Sequence, residues 1–257
     1  MAENFLRRSY MAKPSDCNAE QSLPLPLLVG QMIEIATDHA NLIGIGFLDL
    51  EPRGLGWVLS RLSVEMIRWP KNGEEYVLTT WIESYNSFFS ERCFSVVSRD
   101  GEILGYGRTV WVIIDLSTHK SMGTAHTEVG AELMAGFECP MQKCGKHRHF
   151  IPDDIKQYTF QYTDIDFYRH VNTVKYIALL LNQFTLDDFD SKKLTRFDIA
   201  FSHEAKYGET VTINSKEEEV KTPTLLPQTW KSTKRLFDLT VGENTILNAS
   251  IVLSEPD

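Results

Sequence analysis

Between Leu27 and Ile45 apolar residues return every three or four positions, at Val29, Met32, Ile33, Ala36, Ala40 and Ile43. That spacing is one buried face of a helix, and Gly44 and Gly46 end it. From Leu55 the period changes. Leu55 to Met66, Tyr76 to Glu83, Arg92 to Ser98 and Ile103 to Ile114 are rich in Val, Ile, Trp, Thr and Phe, the composition of strands. Asn72-Gly73 and Asp100-Gly101 are pairs that readily adopt positive φ, and they read as hairpin turns. The pattern predicts a helix followed by four antiparallel strands.

The second half predicts the same order again. A strand at Gln157 to Tyr162 leads to a helix over Val171 to Phe184. Strands follow at Leu194 to Ser202, Thr210 to Val220, Trp230 to Thr240 and Thr245 to Ser254. The repeat reaches residue identity. Arg61, Val64, Met66, Lys71, Gly73 and Glu74 match Arg196, Ile199, Phe201, Lys206, Gly208 and Glu209, each 135 positions on. Arg92, Phe94, Ile103 and Leu104 match Arg235, Phe237, Ile246 and Leu247 at a step of 143. Roughly eight extra residues therefore enter the second half, within the polar stretch Glu217 to Gln228. Shared Arg, Lys, Gly and Glu positions point to duplication of one helix-and-sheet unit. The expected division is 1–136, a linker at 137–155 carrying Lys143, Lys146 and Arg148, and 156–257.

Composition sets the class. A chain of 257 residues, 42% hydrophobic and 24% charged, is long enough for two globular cores. No apolar run reaches the ~18 residues of a membrane span, and Met1 to Tyr10 lacks the form of a secretory signal. The expected location is the cytoplasm. Four scattered cysteines, at 17, 93, 139 and 144, make no disulfide framework. A net charge of −9 disfavours nucleic acid as a partner. Cys139, Cys144, His147 and His149 match no common zinc spacing, so no metal or other cofactor is expected.

Reactive side chains concentrate in Tyr162 to Tyr176, at the entry to the second helix. A helix N-terminus exposes unpaired N–H groups that can bind an anion or a developing oxyanion. Asp164, Asp166 and Asn172 could equally serve as helix caps. The repeat adds a second signal. Glu204 occupies the slot held by Trp69 in the first half, 135 positions earlier, so that position has changed task. A carboxylate beside an apolar pocket has its charged form disfavoured, which suits a general base.

Asp166-Phe-Tyr168-Arg-His170-Val-Asn172-Thr-Val-Lys175-Tyr176-Ile177 resembles the Asp-x-Asn-x-His-Val-Asn-Asn-Val-Lys-Tyr-Ile motif of the acyl-acyl carrier protein thioesterases. His203 to Glu209 resembles the family's second motif, and Trp57 to Met66, Asp100 to Leu104 and Thr109 to Val112 extend the likeness into the first half. The resemblance implies an α+β fold of two tandem hot-dog domains, each a long helix wrapped by an antiparallel sheet. It implies hydrolysis of fatty acyl-carrier thioesters, with Asp166, His170 and Glu204 catalytic and a backbone N–H at Val171 or Asn172 polarising the carbonyl. Two positions depart from the family. Tyr168 stands where Asn is usual, and Ala205 stands where plant members have Cys, which favours water attack over a thiol nucleophile. The acyl chain would lie in the first half, whose apolar residues include Met32, Ile33, Leu59, Met66 and Trp81. The implied partner, acyl carrier protein, is acidic and would need a basic patch: Lys143, Lys146 and Arg148, or Lys192, Lys193 and Arg196. Coenzyme A thioesters and non-catalytic acyl binding are the alternatives, and a homodimer is compatible with either.

Overall fold

The computed structural model describes residues 4–124, 133–145 and 148–256. Lys146 and His147 therefore lie outside the described residues. The first half runs β1 (Phe5–Met11), α1 (Leu25–Leu42), α2 (Phe47–Leu50), β2 (Leu55–Met66), β3 (Glu75–Tyr85), β4 (Ser90–Ser98) and β5 (Ile103–Asp115). The second runs β6 (Asp154–Thr159), α3 (Thr173–Leu181), α4 (Leu186–Ser191), β7 (Lys193–Phe201), β8 (Thr210–Val220), β9 (Lys231–Val241) and β10 (Asn244–Glu255). All ten strands join one antiparallel sheet in the order β1-β3-β4-β5-β2-β7-β10-β9-β8-β6.

That order reads the same from both edges once β1 to β5 are matched with β6 to β10, so the duplication is a pseudo-two-fold. Its axis can be placed. At the central seam Arg61 pairs with Ala200, Ser63 with Asp198 and Glu65 with Arg196. Ser63 and Asp198 stand 135 apart, so each pairs with its own repeat equivalent, and the axis passes between them. Ser63 Oγ donates to Asp198 Oδ1 at 2.6 Å. The extra residues of the second half fall in the β8–β9 connection, as expected, and are used at this seam: Leu225 N–H donates to Glu65 Oε1 at 2.8 Å.

Helix α1 begins after Pro24 with Pro26 in its first turn, where a missing N–H costs nothing. It stops at Leu42 because Gly44 takes a left-handed φ of 74°. Its buried face, Leu28, Met32, Ile35 and Ala36 among others, packs into the sheet. Gly107 on β5 faces the tip of Met32, where a Cβ would meet Met32 Cε at 2.6 Å and make that flexible side chain shift. The second helix is shorter than the expected 171–184. Asn172 caps it by accepting from Val174 N–H. After Leu181 the chain restarts as α4, whose Thr185 and Asp188 form a reciprocal capping box.

Two expectations are corrected. β1 lies on a sheet edge, and although its burial alternates from Leu6 to Met11, its sequence sets the polar Arg7, Arg8 and Ser9 side by side, so pattern reading passes over it. Asp100-Gly101 does close a hairpin, β4 to β5, but Asn72-Gly73 does not. Gly73 has the positive φ of 81°, yet β4 and β5 lie between β2 and β3 in the sheet, so this turn starts a crossover.

Candidate active site

Asp166 and His170 bracket a three-residue loop. Asp166 N–H donates to His170 O at 2.8 Å, and Arg169 N–H to Asp166 O at 3.0 Å. Arg169 is left-handed, with φ 66°. This is a type I turn followed by an αL residue, a conformation that costs a non-glycine residue stability and that functional sites commonly hold. Asp166 Oδ1 fastens the loop by accepting from the backbone N–H of Tyr168 at 2.9 Å and of His170 at 3.2 Å. Asp166 thus acts on His170 through the backbone.

Glu204 arrives from the end of β7. Its neighbour Ala205 is fixed twice: Ala205 N–H donates to the Tyr176 hydroxyl at 3.2 Å, and Ala205 O accepts from Val171 N–H at 2.9 Å. The segment carrying Glu204 is thereby locked to the loop carrying His170, with a further bridge between His170 and Lys206. The result places His170 Nε2 3.2 Å from Glu204 Oε2. The side chains are 22% and 43% exposed, so this pair is open to water. The apolar surroundings expected for Glu204 are not what the structure gives it.

A third side chain, unanticipated from sequence, joins them. His119 Nδ1 lies 3.7 Å from Glu204 Oε2, and its ring stands edge-on to His170 at 6.4 Å. His119 belongs to the first half, in the loop after β5. There Asp115 Oδ1 accepts from the N–H and hydroxyl of both Ser117 and Thr118. Those bonds hold the Asp115 carboxyl down at about 2. No local pattern marks His119; only the strand order brings it to Glu204.

The remaining expected residues divide. Tyr168 is half exposed and rests on Phe167, ring centroids 4.0 Å apart, so the phenol stands at the rim. Partial burial, then Asp166 and Glu51, raise its pKa and keep it a donor. Asn172 N–H donates to Asp164 O at 2.8 Å, and Val171 N–H is spent on Ala205 O, so neither expected oxyanion donor is free. Asp164 is a structural cap, accepting from Tyr158 OH and Gln161 N–H. Of the basic candidates, Lys143 is paired with Glu91 at 2.7 Å, and Arg196 with Glu65 and Asp198. Arg148 and Lys193 are exposed, and Lys192 is half-buried with its Nζ 3.5 Å from Thr233 Oγ1.

Among the described residues no helix is long and apolar enough to cross a membrane. The apolar residues expected to hold a chain are core: Met32, Leu59 and Met66 lie in the main cluster, and Trp81 packs with Cys93, Cys139 and Met141.

Comparison with known proteins agrees with this architecture. The chain is 28% identical over 218 residues to a palmitoyl-acyl carrier protein thioesterase of Gossypium hirsutum, covering 79% of this chain and 51% of the relative. It is 25% identical over 213 residues to a dodecanoyl-acyl carrier protein hydrolase of Umbellularia californica, covering 77% and 56%. The match thus spans about half the length of these chloroplastic relatives. In fold, the solved acyl-ACP thioesterase of Bacteroides thetaiotaomicron superposes with a TM-score of 0.83 at 24% identity, over 97% of this chain and 98% of that one. The 12:0-ACP thioesterase of Umbellularia californica gives 0.78 at 20% identity, over 100% and 96%. Both support the double hot-dog arrangement. The sequence models of the acyl-ACP thioesterase N-terminal domain and C-terminal domain match residues 3–133 and 151–244, and with those two matches covering most of its length, this chain belongs to the acyl-ACP thioesterase family.

Proposed function

We propose that the chain hydrolyses fatty acyl thioesters of acyl carrier protein to the free acid, in fatty acid biosynthesis. The observation that carries this reading is the Glu204–His170 contact of 3.2 Å, half open to water. Glu204 takes a proton from a water molecule, and the water oxygen attacks the thioester carbonyl. As the tetrahedral intermediate collapses, the C–S bond breaks and protonated His170 gives its proton to the leaving thiolate. The proton held by Glu204 then returns to His170 across their contact, and both groups are reset. Ala205 leaves no thiol beside Glu204, so no acyl-enzyme is formed there. With Val171 and Asn172 occupied, the oxyanion is assigned to the first amide of α3, at Thr173, which helix geometry leaves without an intrahelical acceptor.

Arg169 and Lys206, both exposed beside His170, are the cations best placed to meet an acidic carrier at this mouth. The four thiols are free, which suits a reducing compartment, and the cytoplasm is our reading. One chain contains every group in the mechanism; a homodimer would add none.

The test is thiol release from a panel of carrier-linked and coenzyme A thioesters. Wild type should turn over the carrier-linked set, and Glu204→Gln should lose about 10²–10⁴-fold in kcat. Turnover of coenzyme A esters alone would move the assignment to that carrier. A folded wild type that releases no thiol from either would leave acyl binding as the function.

A further inference from the structure

Among the described residues, the first half buries a cation that meets no acid. Arg92, on β4, is 4% exposed. Its Nη1 donates to His39 Nδ1 at 2.8 Å and to Thr80 Oγ1 at 3.3 Å. Both acceptors are neutral, because a guanidinium can only donate and the receiving ring nitrogen must be unprotonated. Burial lowers the Arg92 pKa to about 10, which still leaves it charged at neutral pH. A buried charge without a counter-charge is costly.

The duplication supplies an internal control. Arg235 is the equivalent of Arg92 in the second half. It reaches Glu217 Oε2 at 2.9 Å and Gln183 O at 2.7 Å, and lies over the Phe184 ring at 4.4 Å. Glu217 is the cross-strand neighbour of Arg235, and Ile82 is the cross-strand neighbour of Arg92. Glu217 and Ile82 are themselves 135 apart, the step that relates the two halves. One copy keeps the arginine and its acid. The other keeps the arginine and puts a fully buried isoleucine in the acid's place.

What Arg92 faces instead is a recess between α1 and the sheet, walled by Ala36, Ala40, Ile45, Trp57 and Trp111. Its volume of about 50 Å³ holds a few waters, at ~10–15 Å³ each on this measure, or the last few atoms of a chain. The recess lies near the end of the sheet that leads to the reactive cluster. Trp57 precedes the β2 residues that pair with β7, and Glu204 follows the β7 residues that pair with β2, so in this antiparallel pair they share one end. Leu55 pairs with Asp115, which leads into the His119 loop at that same end.

We propose that this recess receives the far end of an acyl chain that carries an acceptor oxygen, as hydroxyl, keto or carboxylate, and that Arg92 is the group that recognises it. Apolar walls hold the last methylenes, and the guanidinium accepts as ligand what Glu217 provides to Arg235. That the ligand is an acyl chain rests on the thioesterase reading, so the test includes a binding measurement that needs no turnover.

Full-length protein is titrated calorimetrically with plain, ω-hydroxy, ω-1-keto and α,ω-dicarboxylic acids over a range of chain lengths, and kcat/KM is measured for the matching thioesters. At the best-fitting length the oxygenated end should bind about 10- to 100-fold tighter than the plain one, and kcat/KM should show the same preference. Arg92→Met should bring that ratio to near one. Ile82→Glu should do the same with Arg92 still present, by giving it the acid its counterpart has. A wild-type ratio of one or below for all three oxygenated ends, in binding, overturns the proposal whatever the variants do. If plain thioesters are hydrolysed while that ratio is one, this inference fails alone. If acids bind with the expected ratio but no thioester is cleaved, the hydrolytic reading fails and the recess assignment stands.

Discussion

Glu204 and Trp69 hold the same place in the two halves and do different work. Trp69 donates its indole N–H to Leu194 O at 2.8 Å and helps join the halves. Glu204 faces His170 and His119. His119→Ala should lower kcat several-fold and leave the fold intact, because His119 sits beyond hydrogen-bond distance and is exposed; a loss as deep as that of Glu204→Gln would make it a full member of the proton-transfer pair. Tyr176 acts at one remove. Its buried hydroxyl is the acceptor for Ala205 N–H, so Tyr176→Phe should cost about 1–3 kcal/mol in stability and lower kcat more than it changes KM, as measured by denaturation and steady-state kinetics. At this scale the sequence singled out Asp166, His170 and Glu204 through a helix-entry motif and a repeat mismatch, and the structure brings these three together. It was silent on His119, which is 85 positions from Glu204. It also misled on Asn172, whose N–H looks available until Asp164 O is seen to take it.

Among elements, the loop after β5, the loop before α3 and the segment after β7 carry the site, and the β2–β7 seam joins the halves that supply them. The Asp115 carboxyl is held at about 2 by the hydroxyl and N–H groups of Ser117 and Thr118. Because its folded pKa lies below the ordinary value near ~3.9, the loop's stabilisation is complete above that value and is lost as pH falls through about 2. The melting difference between wild type and Asp115→Ala should therefore be constant near neutrality and shrink as pH drops from ~4 toward ~2. At the seam, Glu65 is fully buried and accepts from Arg196 Nη1 at 2.7 Å and from Leu225 N–H. Glu65→Ala should cost about 3–5 kcal/mol, and adding Arg196→Met should recover part of it; an additive double variant would show that the two side chains do not act as a pair. Most strands and α1 were legible because their periods are local. β1 and the shortened α3 were not, since an edge position and a cap define them.

For the whole molecule, one sheet runs unbroken through both halves, so calorimetric unfolding should show a single transition with equal van't Hoff and calorimetric enthalpies; two transitions would mean that the halves melt separately. The repeat step of 135 could be read in the chain, and the seam pairs Ser63 with Asp198 at that step. The sheet order could not be read, because it rests on pairings between distant strands. Separate subunits that each contributed a loop to one centre would lose it as their concentration fell below the dissociation constant. Here His119 and Glu204 come from opposite sides of the seam but from one polypeptide, and a tether holds such partners at an effective concentration of the order of millimolar. The centre should keep the same specific activity however few copies of the protein a cell contains.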